Sequence, residues 1–142
     1  MTQIIDTGER ILLDKETPLM IARHFFAYRF ARGYCRDKRV LDIGCGEGYG
    51  ANYLAQSAKA VLGADYNSDA INYAKGKYAK YNLSFSLINF TQPPNLNEKF
   101  DVICSFQVIE HIKDVNFFLK NIKAQLDAYG TFICSTPNKL DA

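Results

Sequence analysis

Three alternate glycines between a short apolar run and a helical stretch are the residues of this sequence best suited to holding a ligand. Residues 40–43 are Val-Leu-Asp-Ile, and Gly44, Gly46 and Gly48 follow directly. Glycine removes the side chain where the backbone must approach a bound molecule closely. The start of the helix adds unpaired N–H groups and the positive end of a helix dipole. The segment therefore predicts a binding turn between a strand and a helix.

Two carboxylates accompany this turn and indicate what it binds. Asp65 ends the next apolar run, about 20 residues on, where a carboxylate can accept hydrogen bonds from both hydroxyls of a ribose. Asp42 lies inside the first run, just before Gly44, where it suits a cationic group and fits poorly beside a pyrophosphate. Tyr49 stands where the dinucleotide fingerprint requires glycine. The pattern favours an adenosine-containing ligand; the plain alternative is a tight turn with no ligand.

The elements that must position these residues alternate between strand and helix. Apolar runs predict strands at residues 40–43, 60–64, 83–88, 100–106 and 131–135, the fourth of them central. Helices follow the first two strands and the fourth, with Asn67 or Ser68 and then Asp114 as caps, and Tyr129-Gly130 is a turn. Short strands alternating with helices predict an α/β fold with a parallel sheet of right-handed βαβ units.

An additional helix precedes the first strand. Thr17 is the expected N-cap and Pro18 the first helical residue, and the helix runs to about Ala31, where Gly33 ends it. Residues 1–16 are then an N-terminal arm and residues 17–142 one domain, which suits a chain of 142 residues.

Composition excludes several classes of function. The net charge of +2 does not favour a nucleic-acid surface. No apolar run approaches the roughly 20 residues of a membrane span, and the first residues do not resemble a secretory signal. The 4 cysteines form no CxxC pair, so we expect them to be reduced and mostly buried in a cytoplasmic protein.

Residues 40–50 resemble the first motif of class I S-adenosylmethionine-dependent methyltransferases. The resemblance continues, in the same order and spacing, through residues 63–66, 100–105, 109–112 and 130–138. It implies a Rossmann-like, doubly wound, mostly parallel sheet in the order 3-2-1-4-5. It also implies S-adenosyl-L-methionine as the cofactor and S-adenosyl-L-homocysteine as the product.

The resemblance assigns residues to the methionine half of the cofactor. The backbone of the glycine turn would pass around this half, Asp42 would orient it through the amino group or a water, and residues after the fourth strand would lie beneath it. These residues are Asp42, Gly44, Cys45, Gly46, Phe106 and Gln107.

Four further residues are assigned to the adenosine half. Asp65 would bind the ribose hydroxyls and Tyr66 would pack on the adenine. Asn89 stands where the family usually has aspartate at the adenine edge, and its amide oxygen can accept from the exocyclic amine. Phe90 would add an apolar contact.

Methyl transfer from a sulfonium is an in-line displacement in which the protein supplies placement and water exclusion. An oxygen nucleophile often needs a base, and His111 is the candidate. In ubiquinone-pathway O-methyltransferases and small-RNA 2′-O-methyltransferases, a Glu-x-x-Glu-His stretch here binds a divalent metal. This chain has Gln107 at the first position, so we expect no metal site. A structural hydrogen-bonding pair of Glu110 and His111 is the alternative.

The N-terminal helix carries a resemblance of its own. Residues 8–10 and 24–31, with the ending at residues 135–138, look like methyltransferase domains associated with glycosyltransferases and polysaccharide biosynthesis. This implies that Tyr28 or His24 reaches the methionine carboxylate or the substrate. The alternative is an amphipathic helix whose Phe25 and Tyr28 belong to the core.

These resemblances imply methyl transfer to oxygen or nitrogen of a small molecule or sugar-linked acceptor. A cofactor-binding but catalytically silent module is the first alternative, and a nicotinamide-dependent oxidoreductase the second. No nucleic-acid partner and no membrane span are expected.

The family fold has seven strands in the order 3-2-1-4-5-7-6, and the sequence contains no residues for strands six and seven. The strand at residues 131–135 would then be an apolar edge. We therefore expect the chain to be the front part of a longer protein, or the edge to be covered by a partner such as a second copy.

Overall fold

A computed structural model describes residues 18–92 and 96–138 of the chain. The strands are β1 Arg39–Ile43, β2 Ala60–Asp65, β3 Leu83–Leu87, β4 Phe100–Phe106 and β5 Leu126–Ser135. The helices are α1 Pro18–Cys35, α2 Tyr49–Leu54, α3 Ser68–Lys77 and α4 Val115–Gln125, with a 3₁₀ turn at Ile109–His111. The predicted arm at residues 1–16 and the cap Thr17 lie outside the described residues.

The five strands form one parallel sheet in the order β3-β2-β1-β4-β5, which confirms the predicted fold class. One apolar cluster lies between the sheet and helices α1, α2 and α3, and includes Tyr28 and Leu54. A second cluster on the other face packs Phe118 and Ile122 of α4 against Leu41. Covering both faces leaves β1 and β4 almost fully buried, as parallel sheets require.

Two of the predicted helix caps are confirmed. The Asn67 side chain accepts a hydrogen bond from the Ala70 N–H at 3.0 Å, and Asp114 accepts from the Phe117 N–H at 3.1 Å. These bonds satisfy backbone donors that the first turns of α3 and α4 leave unpaired.

The predicted end of α1 near Ala31 is wrong. The helix continues through Gly33 to Cys35. Ala31 and Cys35 are both completely buried in the core, so their packing outweighs the helix cost of one glycine, which is about 1 kcal/mol. The chain leaves the helix at Asp37, which has a φ of 60°.

The predicted start of the last strand is also wrong. The strand β5 begins at Leu126, and Tyr129-Gly130 belongs to an irregularity inside it. Phe100 pairs with Leu126 but Val102 pairs with Thr131, so the extra residues of β5 bulge out of the ladder. Tyr129 is fully exposed on this bulge. The turn residues therefore interrupt the pairing with β4 without ending it.

Arg39 ties together the amino ends of three strands, opposite the edge where the predicted site lies. Its backbone N–H and its side-chain Nε donate to Asp101 Oδ2 at 2.9 and 3.4 Å, and its Nη2 donates to Asp127 Oδ2 at 3.1 Å. The backbone hydrogen bond from Arg39 lowers the pKa of Asp101.

All four cysteines are free; Cys35, Cys45 and Cys104 are buried and Cys134 is exposed. Within the described residues, no helix combines the length and apolarity that crossing a membrane requires.

Candidate functional site

A cavity of about 300 Å³ opens at the carboxyl ends of the strands, between α1 and the segments that follow β1, β2, β3 and β4. Its volume falls in the range of small-molecule sites. The lining includes nearly every residue that the sequence singles out: His24, Tyr28, Gly44, Cys45, Gly46, Asp65, Tyr66, Asn89, Phe90, Phe106, Gln107 and His111. Asp42 is not among the lining residues.

The glycine turn has the backbone geometry that its sequence predicts. Gly44 and Gly46 have φ angles of 75° and 57°, in the left-handed region that side chains disfavour. A Cβ on Gly44 would overlap the side chain of Val108. The N–H groups of Gly44 and Cys45 both donate to the carbonyl oxygen of Ala64, at 2.7 and 3.0 Å. The turn is thereby held against the end of β2, where Asp65 lies.

Asp65 holds the site together through its two carboxylate oxygens. Oδ2 accepts from the Gly46 N–H at 2.9 Å and Oδ1 accepts from the Asn67 N–H at 2.9 Å. The residue is only 8% exposed, yet it lines the cavity. Each carboxylate oxygen can accept a further hydrogen bond. Asp65 can therefore position the glycine turn and still accept from a ligand.

Asp42 lies buried behind the cavity wall and is completely inaccessible to solvent. The Tyr28 hydroxyl donates to its Oδ2 at 2.9 Å, while Oδ1 has no hydrogen-bond partner among the described residues. Burial raises the pKa of Asp42 from 3.8 to about 7, with the Tyr28 hydrogen bond opposing that rise and the charge of Asp65 adding to it. An unsatisfied buried oxygen costs free energy. Oδ1 is an acceptor that a cationic group or a water would satisfy.

Helix α1 brings His24 into the site. His24 Nδ1 lies 2.9 Å from the Tyr49 hydroxyl. Burial lowers the pKa of His24, and a hydrogen bond with the Gln107 side chain and the charge of Glu110 oppose the decrease. A lowered pKa keeps this imidazole neutral at neutral pH. It can then accept a proton.

Tyr49 is a lining residue that the sequence reasoning missed as part of the site. Its ring lies 5.0 Å from that of Phe25 and 5.8 Å from that of Tyr28, so it fills the space between α1 and α2. The sequence does contain a signal for this role, because Tyr49 stands where the dinucleotide fingerprint requires glycine. The fingerprint's glycine is replaced by a side chain that packs against α1.

The far end of the cavity has an aromatic and an amide side chain. Tyr66 is 61% exposed beside Asp65. The amide oxygen of Asn89 accepts from the N–H of Thr91 at 3.0 Å and from its hydroxyl at 2.6 Å. That oxygen was expected to face the adenine amine, but here it already has two donors. The Asn89 NH₂ group is the part of the side chain free of these two bonds.

His111 lies at the cavity wall on the 3₁₀ turn, with its side chain half exposed. Its Nε2 is 3.8 Å from Glu110 Oε1, and the other oxygen of Glu110 accepts from the Thr136 hydroxyl at 3.2 Å. Glu110 therefore links the turn to Thr136, just after β5, whereas a distance of 3.8 Å is too long for a hydrogen bond between His111 and Glu110. The imidazole of His111 also lines the cavity, where it can reach a bound molecule. Among residues 18–92 and 96–138, no three His, Cys, Asp or Glu side chains cluster as a metal site would need.

The sequence matches a known family over most of its length. The family profile of a methyltransferase domain matches residues 15–142. A protein of Mycolicibacterium smegmatis named "Probable S-adenosylmethionine-dependent methyltransferase" is 33% identical over 135 residues, covering 94% of this chain and 52% of that protein. A ubiquinone biosynthesis O-methyltransferase of Bartonella tribocorum is 35% identical over 103 residues, covering 71% of this chain and 42% of the relative. The chain thus spans about half the length of these relatives.

Solved structures share the fold. An S-adenosylmethionine-dependent methyltransferase from Mesorhizobium loti superposes with a TM-score of 0.72 at 21% identity, covering 80% of this chain and 53% of that one. The N-methyltransferase NodS from Bradyrhizobium japonicum, in complex with S-adenosyl-L-homocysteine, gives 0.69 at 22% identity, covering 83% and 63%. At these identities the likeness concerns the arrangement of strands and helices.

Proposed function

Since this chain belongs to the class I S-adenosylmethionine-dependent methyltransferases, we propose that it transfers a methyl group to oxygen or nitrogen of a small molecule or sugar-linked acceptor. S-Adenosylmethionine is the cofactor of this family. The observation that carries the proposal is Asp65, which holds the glycine turn at Gly46 N and also lines the cavity. A single carboxylate thus joins the turn to a position suited to a ribose.

The methionine end of the cofactor fits beside α1. Asp42 lies behind this end of the cavity, with Oδ1 buried and without a hydrogen-bond partner among the described residues, and the charge of an ammonium group in the cavity would stabilise its ionised carboxylate. The Tyr28 hydroxyl, whose pKa is raised well above 10.0 by burial and by the charge of Asp42, stays protonated and orients that carboxylate. The backbone of Gly44, Cys45 and Gly46 and the Gln107 side chain complete this end.

The adenosine end fits at the ends of β2 and β3. Asp65 would accept from the ribose hydroxyls and Tyr66 would pack on the adenine, with Phe90 as an apolar wall; all three line the cavity. Because the Asn89 oxygen is engaged by Thr91, we assign Asn89 to the adenine edge through its NH₂ donors, which can meet a ring nitrogen.

The bound cofactor supplies an electrophilic methyl group on its sulfonium. The chain's part is to place the acceptor, exclude water and take the acceptor's proton. His111 is the proposed base, and His24 and Tyr28 are the proposed acceptor contacts, because all three line the same cavity. The neutral state of His24 adds a second proton acceptor on the α1 side.

Oxygen is the acceptor atom with more support. The Bartonella relative is named an O-methyltransferase and is 35% identical over 103 residues. Two imidazoles at one cavity suit a hydroxyl acceptor, which loses a proton on methylation. The three buried free thiols support the proposed cytoplasmic location, where thiols stay reduced. We also retain the proposed division into an arm at residues 1–16 and a single domain at residues 17–142.

The cofactor site is tested by calorimetric titration with S-adenosylhomocysteine. We expect Asp65→Ala to weaken binding at least about tenfold, since it removes a charge-assisted acceptor and loosens the Gly46 turn. Asp69→Ala is the matched control, because Asp69 lies on α3 outside the cavity lining, and it should bind as the unaltered chain does. Unchanged binding in the Asp65 variant, or tighter binding of a nicotinamide dinucleotide, would contradict the proposal.

The transfer itself needs a separate assay. Incubation with methyl-labelled S-adenosylmethionine and a panel of hydroxyl and amine acceptors should label an acceptor, and His111→Ala should slow labelling without changing cofactor affinity. Cofactor binding with no transfer to any acceptor would favour the alternative of a catalytically silent module. The two experiments therefore separate the cofactor site from the reaction.

A further inference from the structure

The outer face of α1 carries a row of exposed aromatic side chains. Phe26, Phe30 and Tyr34 are 71%, 56% and 50% exposed, and their spacing of four residues places them on one side of the helix. The rings of Phe30 and Tyr34 lie 5.5 Å apart. From Phe26 to Tyr34 the row extends about 12 Å along the helix. We call these three residues the aromatic row.

The surroundings of the aromatic row are basic. Arg23, Arg29 and Arg36 are exposed, and the first two lie within about 60° of Phe26 around the helix axis. No acidic residue occurs from residue 18 to residue 36, and Asp37 is the first. Arg32 differs from the others, since its guanidinium lies 4.9 Å from the Tyr53 ring centroid. Arg23 and Arg29 therefore remain on the outer side beside the row.

This combination has a specific chemical complement. Phenylalanine has no hydrogen-bonding group, so its exposed ring gains chiefly from transfer to an apolar environment. Tyrosine prefers the boundary between apolar and aqueous regions, and arginine pairs with phosphate. A bilayer with anionic lipids offers these three environments at successive depths. Proteins that stack single-stranded nucleic acid on aromatic rings use a groove, whereas a helix face is convex.

We propose that the outer face of α1 docks on an anionic lipid bilayer. Phe26 and Phe30 enter the boundary between headgroups and acyl chains, Tyr34 lies at the headgroup level, and Arg23 and Arg29 bind lipid phosphates. Helix α1 also supplies His24 and Tyr28 to the cavity. The bilayer would then lie about one helix diameter, or 10 Å, from the cavity wall. Docking is independent of methyl transfer and is tested without it.

Vesicle co-sedimentation tests the composition of the surface. We expect binding to phosphatidylcholine vesicles with about one third phosphatidylglycerol, and little binding to phosphatidylcholine alone. Phe26→Ser with Phe30→Ser should weaken binding at least about tenfold. Each of Arg23→Gln and Arg29→Gln should weaken it about fivefold and reduce its salt dependence. Tyr81→Ser is the matched control, since Tyr81 is fully exposed outside α1, and it should leave binding unchanged.

A second measurement does not depend on the serine variants. The chain contains no tryptophan, so Phe26→Trp introduces a single reporter on the aromatic row and Tyr81→Trp one elsewhere. We expect anionic vesicles to shift the emission of the first to shorter wavelength and to leave the second unchanged. The urea midpoint and the affinity for S-adenosylhomocysteine of each variant establish that it is folded.

Five results would overturn the proposal, the first four of them from vesicles and sedimentation. These four are no vesicle binding by the unaltered chain, equal binding to neutral and anionic vesicles, a Phe26→Trp emission that vesicles do not shift, and a dimer that the two serine substitutions abolish. The fourth result would assign the aromatic row to contact between two copies of the chain. The fifth result, tighter binding to a single-stranded RNA than to vesicles, would assign it to nucleic acid instead.

Discussion

At the residue scale, the buried pair of Tyr28 and Asp42 links the N-terminal helix to the first strand. The Tyr28 hydroxyl is 2.9 Å from Asp42 Oδ2, and its ring lies edge-on to Phe106 with centroids 4.9 Å apart. The hydrogen bond opposes the effect of burial on the pKa of Asp42. The pair should therefore affect both the stability of the chain and its dependence on pH.

Tyr28→Phe should destabilise the chain by about 1–3 kcal/mol, because it leaves Asp42 Oδ2 buried without its donor. Urea unfolding at pH 8, where Asp42 is ionised, measures the change. In an Asp42→Asn background the same substitution should cost less, since the charge is gone. Equal losses in the two backgrounds would mean that the hydroxyl does not act through Asp42.

Asp42 should make the chain less stable as pH rises from about 4 to about 7. The ordinary pKa of its carboxyl is 3.8, and burial raises the pKa to about 7 in the folded chain, so the folded chain holds a proton that the unfolded chain has lost. The stabilisation that this bound proton gives the folded chain is complete below the ordinary pKa and is lost as the pH rises through the raised pKa. The free energy of unfolding changes by at most about 1.4 kcal/mol per pH unit in this range.

Comparing urea unfolding of the unaltered chain and Asp42→Asn at pH 5, 6 and 7 isolates this contribution. His24, whose pKa is lowered by burial, acts in the opposite direction but is common to both proteins. The free energy of unfolding of the unaltered chain should fall relative to that of Asp42→Asn as the pH rises over this range. A difference that is constant over this range would show that Asp42 titrates normally.

At the element scale, the position of α1 on α2 depends on close approach at Gly50. A Cβ at this position would overlap the Tyr28 ring, whereas a Cβ on Gly33 would have no neighbouring atom within 4 Å. A methyl group would therefore have opposite effects at Gly50 and at Gly33. One permits the contact that brings Tyr28 and Tyr49 to the cavity, and the other lies on the open side of α1.

Gly50→Ala should destabilise the chain by about 1–3 kcal/mol through overpacking against Tyr28 and should weaken S-adenosylhomocysteine binding. Gly33→Ala is its control and should stabilise the chain by about 0.5–1 kcal/mol through helix propensity. Thermal unfolding with a cofactor-analogue titration measures both. A harmless Gly50→Ala would mean that α1 can move away from α2 at no cost.

At the scale of the whole molecule, the two edges of the sheet differ. The edge strand β3 has five residues and β5 has ten, and β5 presents Phe132 and Ile133 only partly buried. The relatives from Mycolicibacterium and Bartonella are about twice as long as the segment they share with this chain. We therefore retain the proposal that further chain or a second copy covers the β5 edge.

Expressed as these residues alone, the chain should form a dimer in sedimentation velocity, its proportion rising with concentration. Cys134→Lys should shift it to monomer, because a charge on an exposed edge position opposes pairing between strands. Leu87→Lys makes the matching change on the other edge, where Leu87 is 56% exposed, and should have no effect. A monomer at every concentration would contradict pairing through β5.

The strand order was predicted from the family resemblance. Local sequence patterns were sufficient to predict the alternation of strands and helices, a cap at Asn67 or Ser68, and the cap Asp114. Each depends on residues close in the chain: an apolar run, a capping side chain three residues before its N–H, a glycine at positive φ. Most of the candidate site follows from these patterns too, because parallel strands bring their carboxyl ends to one edge. Gly44 and Asp65 meet there for that reason.

Only the tertiary structure decided the features that depend on distant neighbours. Gly33 stays helical because Ala31 and Cys35 are buried, and β5 starts early because β4 offers it hydrogen bonds. The Asn89 oxygen already accepts hydrogen bonds because its loop brings Thr91 next to it. Asp42 keeps an oxygen without a hydrogen-bond partner because α1 covers it. Propensity and spacing express the preference of a residue and its near neighbours in the chain. The free energy of a residue in the folded chain also depends on its packing and burial, which distant parts of the chain determine.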